Sequence, residues 1–374
     1  RIVNTAAAFL CGNPIELSCT PVDDLQLSLL AVVKRIWDDN KLNYESMGLC
    51  AMLLGETECA ELWYQTDVDP LYWQGTENEG AKVRFRFITL SPSNGDSLYP
   101  VFDPSGDMIG FGRGYTVAEG DDKIEHFDFY TDTQIILGAK VGNGWEVTPS
   151  VNPFGKIPVI YYSRKLPAWS NVQPLIERKE QSVSNNADTN DYFGSPILAI
   201  SGEVQGLSAK GEQGKVVELG NGATANYLAW PYAPEAIKLE NQTLDDLIFS
   251  MSYTPNTSFE QMKAIGDAIS GVAIKLLFTD AHMNAARNES VFGKGIQRRI
   301  NFLKAAIAVA NTKFEKVVYL NIEPKFDYYM PKNVLEAIQI LTEGVGAGKA
   351  VMSQETAVKL NPLVTDAEAE IKQM

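Results

Sequence analysis

Three acidic side chains, Glu125, Asp128 and Asp132, lie close together in a stretch that reads as a pair of strands. Carboxylates at such spacing are what acid–base and glycoside-hydrolysing chemistry requires. A solvated strand face in an acidic protein gives the same pattern, and that reading is preferred here. The chain has only two histidines, His126 and His282, far apart, and no G-x-S-x-G elbow that would present a serine nucleophile. Phosphate chemistry fares no better. A phosphate-binding loop needs G-x-x-x-x-G-K-[ST], so that backbone amides cradle the phosphates and a hydroxyl holds Mg²⁺. Gly348-Lys349 is followed by Ala350, and Gly214-Lys215 by Val216. In GFGRGY (110–115), Tyr115 stands where the dinucleotide fingerprint has its last glycine. Cys11, Cys19, Cys50 and Cys59 form no C-x-x-C pair and no zinc spacing, which implies a reducing compartment. The residues therefore predict no catalytic group, no metal and no cofactor.

The elements that would position any site come next. The chain has 374 residues, 45% hydrophobic and 21% charged, with a formal net charge of −15. This is globular composition, long enough for two or three domains. The acidity excludes a nonspecific nucleic-acid or anionic-membrane binder that grips through Lys/Arg-rich faces. The apolar run in RIVNTAAAFLCG is too short to span a membrane.

Ile2, Val3, Ala6, Ala7 and Leu10 mark one face of a first helix, stopped by Gly12 and Pro14. A second helix is predicted over 21–39, with Thr20 as cap and Pro21 in its first turn. A third covers 42–54. A β-rich block follows, from ECAELWYQ through GWEVTP, closed by the extended NPFGKIPVIYY (152–162). Residues 170–193 read as a polar helix whose apolar residues, Val172, Leu175, Ile176, Val183 and Ala187, form only a thin seam. Its start is drawn inward by Pro174. Short strands occupy 194–238, and 239–253 is helical again. A polar connector over 255–271 leads into a helical pattern that runs to about Lys316 and, if unbroken, spans about 70 Å. Gly293 and Gly295 predict a kink in it. Across 260–318 basic residues outnumber acidic ones by nine to five. Ion pairing to acidic neighbours, other subunits included, is the preferred reading of that surplus over contact with DNA. A late strand or two is expected near 317–331. The chain ends in helices, one capped by Ser353 and one with capping-box spacing at Thr365 and Glu368.

In this order the elements resemble the portal, or head–tail connector, proteins of tailed bacteriophages, in the siphophage-type branch. The resemblance is carried by RIVNTAAAFLCGNPIEL, FYTDTQII, NPFGKIPVIYY with the helix after it, AISGVAIKLLF, and MSQETAVKLNPLVTDAEAEI. It implies an α+β portal fold with a β-rich wing, a helical stem, a small α/β clip, a long kinked wing helix and a helical crown. The wing would be 1–165, the first stem helix 166–193, the clip 194–238 and the second stem helix 239–254. A tunnel loop would be 255–271, the long helix and wing return strand 272–330, and the crown 331–374. By the same resemblance the protein forms a ring, usually of twelve subunits, at one capsid vertex of the virion, assembled in the host bacterial cytoplasm. Double-stranded DNA passes through it without sequence recognition. Its partners are the terminase large subunit, head-completion or adaptor proteins, and the major capsid and scaffold proteins, with no membrane. Asn256, Thr257, Ser258, Gln261 and Lys263 would face DNA, and Gly266, Gly271, Gly293 and Gly295 would act as hinges. The alternatives are another capsid or tail-adaptor ring, and a β-rich hydrolase using Glu125, Asp128 and Asp132.

Overall fold

The computed structural model describes residues 1–69, 71–76, 78–119, 122–193, 197–207, 217–228, 234–256, 278–329, 334–346, 350–364 and 367–373. The chain divides into two compact units, one of Arg1–Ala168 with Tyr253–Met374, the other Trp169–Ser252.

The larger unit begins with α1 (Ile2–Cys11), the short strand β1 (Glu16–Ser18), α2 (Asp24–Asp39) and α3 (Leu42–Glu56). The apolar stripe predicted for the first helix is largely its buried face: Ala6, Ala7 and Leu10 are inside, while Ile2 and Val3 are half-buried. α2 starts later than predicted. Asp23 caps it, accepting the Gln26 amide at 2.7 Å, while the Gln26 side chain accepts Val22 N–H at 3.0 Å. A carboxylate outcompetes Thr20 for the exposed amides of a first turn.

Then come β2 (Glu58–Asp67), β3 (Val83–Leu90), β4 (Ser97–Phe102), β5 (Met108–Glu119), β6 (Asp122–Tyr130), β7 (Gln134–Val141), β8 (Gly144–Val151) and β9 (Val159–Ser163). They form a three-stranded sheet in the order β3-β2-β9 and a five-stranded meander β4 to β8. β2 is buried on both faces because it lies between two cores. Cys59 and Trp63 face a large helical core; Ala60 and Leu62 face a smaller one with Leu90, Phe111 and Tyr130. The GFGRG stretch is the middle of β5. Glycines there leave room for rings from the next strand, since a Cβ at Gly110 would lie 2.6 Å from Phe129 and one at Gly112 2.8 Å from Phe127.

The chain returns to this unit with α6 (Thr279–Ala310), a 3₁₀ segment at Thr312–Val317, and β14 (Glu323–Lys325), which pairs with β1. α6 has 32 residues, about 48 Å. Its predicted extension to Lys316 fails at Asn311, which is extended and turns its side chain onto Lys313 N–H at 3.2 Å. The predicted helical stretch before Phe278 lies outside the described residues. α6 is continuous through Gly293 and Gly295. At Gly295 a Cβ would meet the Tyr162 ring at 2.0 Å, so glycine there lets β9 pack against the helix. Three further helices follow, α7 (Val334–Gly346), α8 (Gln354–Leu360) and α9 (Ala367–Gln373). Ser353 caps α8 as predicted, accepting Thr356 N–H at 3.1 Å. Thr365 is not among the described residues.

The smaller unit holds α4 (Gln173–Phe193) and α5 (Pro234–Met251), with two short hairpin-like pairs between them: β10 (Ile197–Ser201) with β13 (Thr224–Leu228), and β11 (Val204–Leu207) with β12 (Val217–Leu219). α4 begins at Gln173, with Pro174 in its first turn. α5 starts at Pro234, five residues before the predicted 239, because Pro suits a first helical position and Glu235 the positive end of the helix dipole.

Candidate functional site

The three carboxylates do not converge. Along β6 side chains alternate between faces, so Glu125 and Asp128 point to opposite sides. Glu125 is exposed and ion-paired to Lys140 at 2.7 Å. Asp128 is buried and accepts the Tyr130 hydroxyl at 3.3 Å. Asp132 is exposed beyond the strand end. Arg113, in the middle of the failed dinucleotide motif, is held by Asp96 at 2.8 Å and lies over the Tyr115 ring. Glu125, Asp128 and Arg113 are thus engaged with neighbouring side chains around the meander.

Of the predicted DNA-facing residues, Asn256 is described and half-buried; Thr257, Ser258, Gln261 and Lys263 lie outside the described residues, as do Gly266 and Gly271. The chain leaves α5 through Tyr253, at φ 56°, a left-handed conformation that ends the helix and that a side-chain-bearing residue rarely adopts.

The most elaborate polar arrangement in the larger unit joins α6 to the sheet. Arg299 and Glu61 are both fully buried. Arg299 Nε donates to both Glu61 oxygens at 3.0 Å, and Nη1 donates to Ser46 Oγ at 2.9 Å. Glu61 also accepts the Tyr162 hydroxyl at 2.6 Å and Trp63 Nε1 at 3.0 Å. The guanidinium lies over the Trp37 ring, 5.1 Å from its centre, and Tyr162 stacks on Phe292. Burial pulls the Arg299 guanidinium down, but Glu61 and Tyr162 outweigh it and hold it firmly charged. Burial, reinforced by Glu61 and opposed by Arg299, pushes the Tyr162 phenol well above its usual range. One network thus ties α2, α3, β2, β9 and α6. The sequence reading did not single it out. The available signal was a charge on each of two apolar faces: Glu61 alternates with Cys59 and Trp63, and Arg299 falls beside Ile296, Ile300 and Leu303.

In the smaller unit α4 and α5 run antiparallel. Asn171 Nδ2 donates to Met251 O at 2.6 Å, Arg178 pairs with Glu240 at 2.6 Å, and Lys179 with Asp245. Leu244 and Ile248 of α5 are buried, whereas Val183 and Tyr192 of α4 and Leu239, Leu247 and Met251 of α5 remain exposed. The thin seam expected from the sequence is only partly covered by the chain itself.

These features define a mixed helix-and-sheet protein whose buried polar groups anchor elements to one another. Residues 1–374, the whole chain, match the family described as phage portal protein, SPP1 Gp6-like, and the chain belongs to that family. It is therefore a phage portal, or head–tail connector, family member, and that family is structural. No curated protein matches the sequence. Among solved structures it is similar to the neck of an empty GTA particle computed with C6 symmetry, at 14% identity over 96% of this chain and 88% of that one, with a TM-score of 0.46.

Proposed function

We propose that the chain is the subunit of a ring, usually of twelve copies, that forms the channel at one capsid vertex through which double-stranded DNA is packaged and later ejected. The observation that carries this reading is the family match across residues 1–374. In this reading the smaller unit is the stem and clip, with α4 and α5 as stem helices and residues 194–233 between them as the platform for the terminase motor and the head-completion proteins. Residues 1–165 are the wing, 255–271 the tunnel loop, α6 the wing helix with glycine hinges near its entry, and 331–374 the crown. The apolar residues that α4 and α5 leave exposed support the ring, since identical stem helices packed side by side would cover them. The charge of −15 supports the conduit. DNA carries about one negative charge per 1.7 Å, and Lys/Arg contacts hold it by releasing counterions. A bore through which DNA slides is best lined by few such contacts.

Negative-stain electron microscopy of the purified protein tests the proposal. Rings with a central channel of duplex width are expected, and a stable monomer at micromolar concentration would refute it. A ring with a bore too narrow for duplex DNA would favour a different capsid or tail-adaptor ring.

A further inference from the structure

α6 carries a basic stripe that is without ion-pair partners among the described residues. Arg287, Lys294 and Arg298 are spaced seven and four residues apart, which on a helix places them within about 20° of one line, about 16 Å long. All three are exposed. Among the described residues none of them makes an ion pair, although carboxylates outnumber basic residues by 47 to 32 in the chain. Arg164, just beyond β9, lies close enough to Arg287 to feel its charge. It is half-buried, and burial together with the nearby Arg287, opposed by Cys50, pulls its guanidinium below the ordinary value. Met283 and Val291, 56% and 40% exposed, flank the same line at about 40°.

We propose that this face of α6, with Arg164, is the subunit–subunit contact that receives an acidic face of a neighbouring copy of this chain. The inference rests on the ring proposed above and adds the surface that closes it. A basic stripe repels its own copy, so it cannot sit on a two-fold axis. In a homo-oligomer it must meet a different face, and a head-to-tail contact of that kind is what closes a ring. A chain of −15 presents a neighbour with mostly acidic surface. The interleaved Met283 and Val291 suit a protein partner, because Arg and Met are enriched at protein interfaces, whereas a duplex backbone offers them nothing to bury against.

The test compares the full chain with R287E/K294E/R298E and with a control of equal charge change at other exposed lysines, K123E/K156E/K316E. Assembly is read by sedimentation velocity and native mass spectrometry, folding by circular dichroism, and DNA affinity by anisotropy with a short duplex. The stripe variant should be folded and predominantly monomeric, with subunit association weakened about tenfold or more. The control should form rings, and wild-type rings should loosen as salt rises. Folded stripe variants that assemble like wild type would overturn the inference. Intact rings that lose affinity for duplex would also overturn it and assign the stripe to DNA. If the stripe variant does not fold, a wild-type ring indifferent to salt up to about 1 M would overturn it. A wild type that forms no ring would overturn this inference and the portal-ring reading together, whereas wild-type rings with unaffected variants would remove this inference alone.

Discussion

Replacing Arg299 by Met keeps an unbranched apolar stem, shorter than that of Arg, and removes the charge from the middle of the larger unit. Among the described residues Glu61 then retains the Tyr162 hydroxyl and the Trp63 indole N–H as donors. The carboxylate is fully buried, so it can neither reach water nor find another cation. Leaving one member of a buried pair uncompensated costs about 3–5 kcal/mol. At about 2 °C per kcal/mol for a unit of this size, the melting temperature should fall by roughly 6–10 °C. Adding E61Q removes the stranded charge; its one amide oxygen can accept the Trp63 N–H, which only donates, while its NH2 donates to the Tyr162 oxygen. The double variant should recover about 2 kcal/mol of the loss. R299K should fall between, since an ammonium keeps the charge but cannot make the forked contact with both oxygens. The assay is thermal and urea unfolding at fixed protein concentration, because assembly shifts apparent stability by mass action. If R299M lay within about 1 kcal/mol of wild type, or E61Q gave no recovery, the network would not be the anchor described.

Gly295→Ala should destabilise by about 1–3 kcal/mol, because its Cβ would lie 2.0 Å from a Tyr162 ring fixed by Glu61. Gly293→Ala meets Glu289 and Phe326 only at 3.5 Å and should stabilise by about 0.5–1 kcal/mol; unfolding curves that rank the two the other way would contradict the packing at α6. Burial, followed by Asp39, pushes the Tyr72 phenol up to about 12, and burial pushes Tyr130, Tyr161, Tyr162 and Tyr328 above their usual range as well. These phenols are held neutral in the fold, so their contribution is complete below about pH 10 and is lost as pH rises through their folded values. Absorbance at 295 nm should show their ionisation delayed until the fold is lost, and simple titration of all 15 tyrosines near pH 10 in a folded protein would contradict this. Lys263→Glu should alter DNA packaging or retention while rings still form, and normal packaging would remove the tunnel loop as the point of contact.

What the sequence made legible were features set by neighbours along the chain. The amphipathic faces of α1 and α2, the strands and intervening turns from β2 to β9 and the Ser353 cap all depend on residues close together in the chain. Errors arose where two local signals competed, as Thr20 did with Asp23, or where a local signal had a distant cause. Gly295 reads as a weak point in a helix; its partner, Tyr162, lies on a strand far away in the chain. Arg299 posed the harder case. Its position on the Ile296, Ile300 and Leu303 stripe says buried, whereas its charge says exposed. Glu61 carries the same contradiction between Cys59 and Trp63, and the two lie 238 residues apart. A charge on an apolar face is expensive to bury alone, so a single case reads as an exposed exception. Two such contradictions of opposite sign in one chain resolve each other, because each supplies the partner the other needs to be buried. The stripe at Arg287, Lys294 and Arg298 is the reverse situation: position and charge agree on exposure, and the structure leaves the complement to another surface.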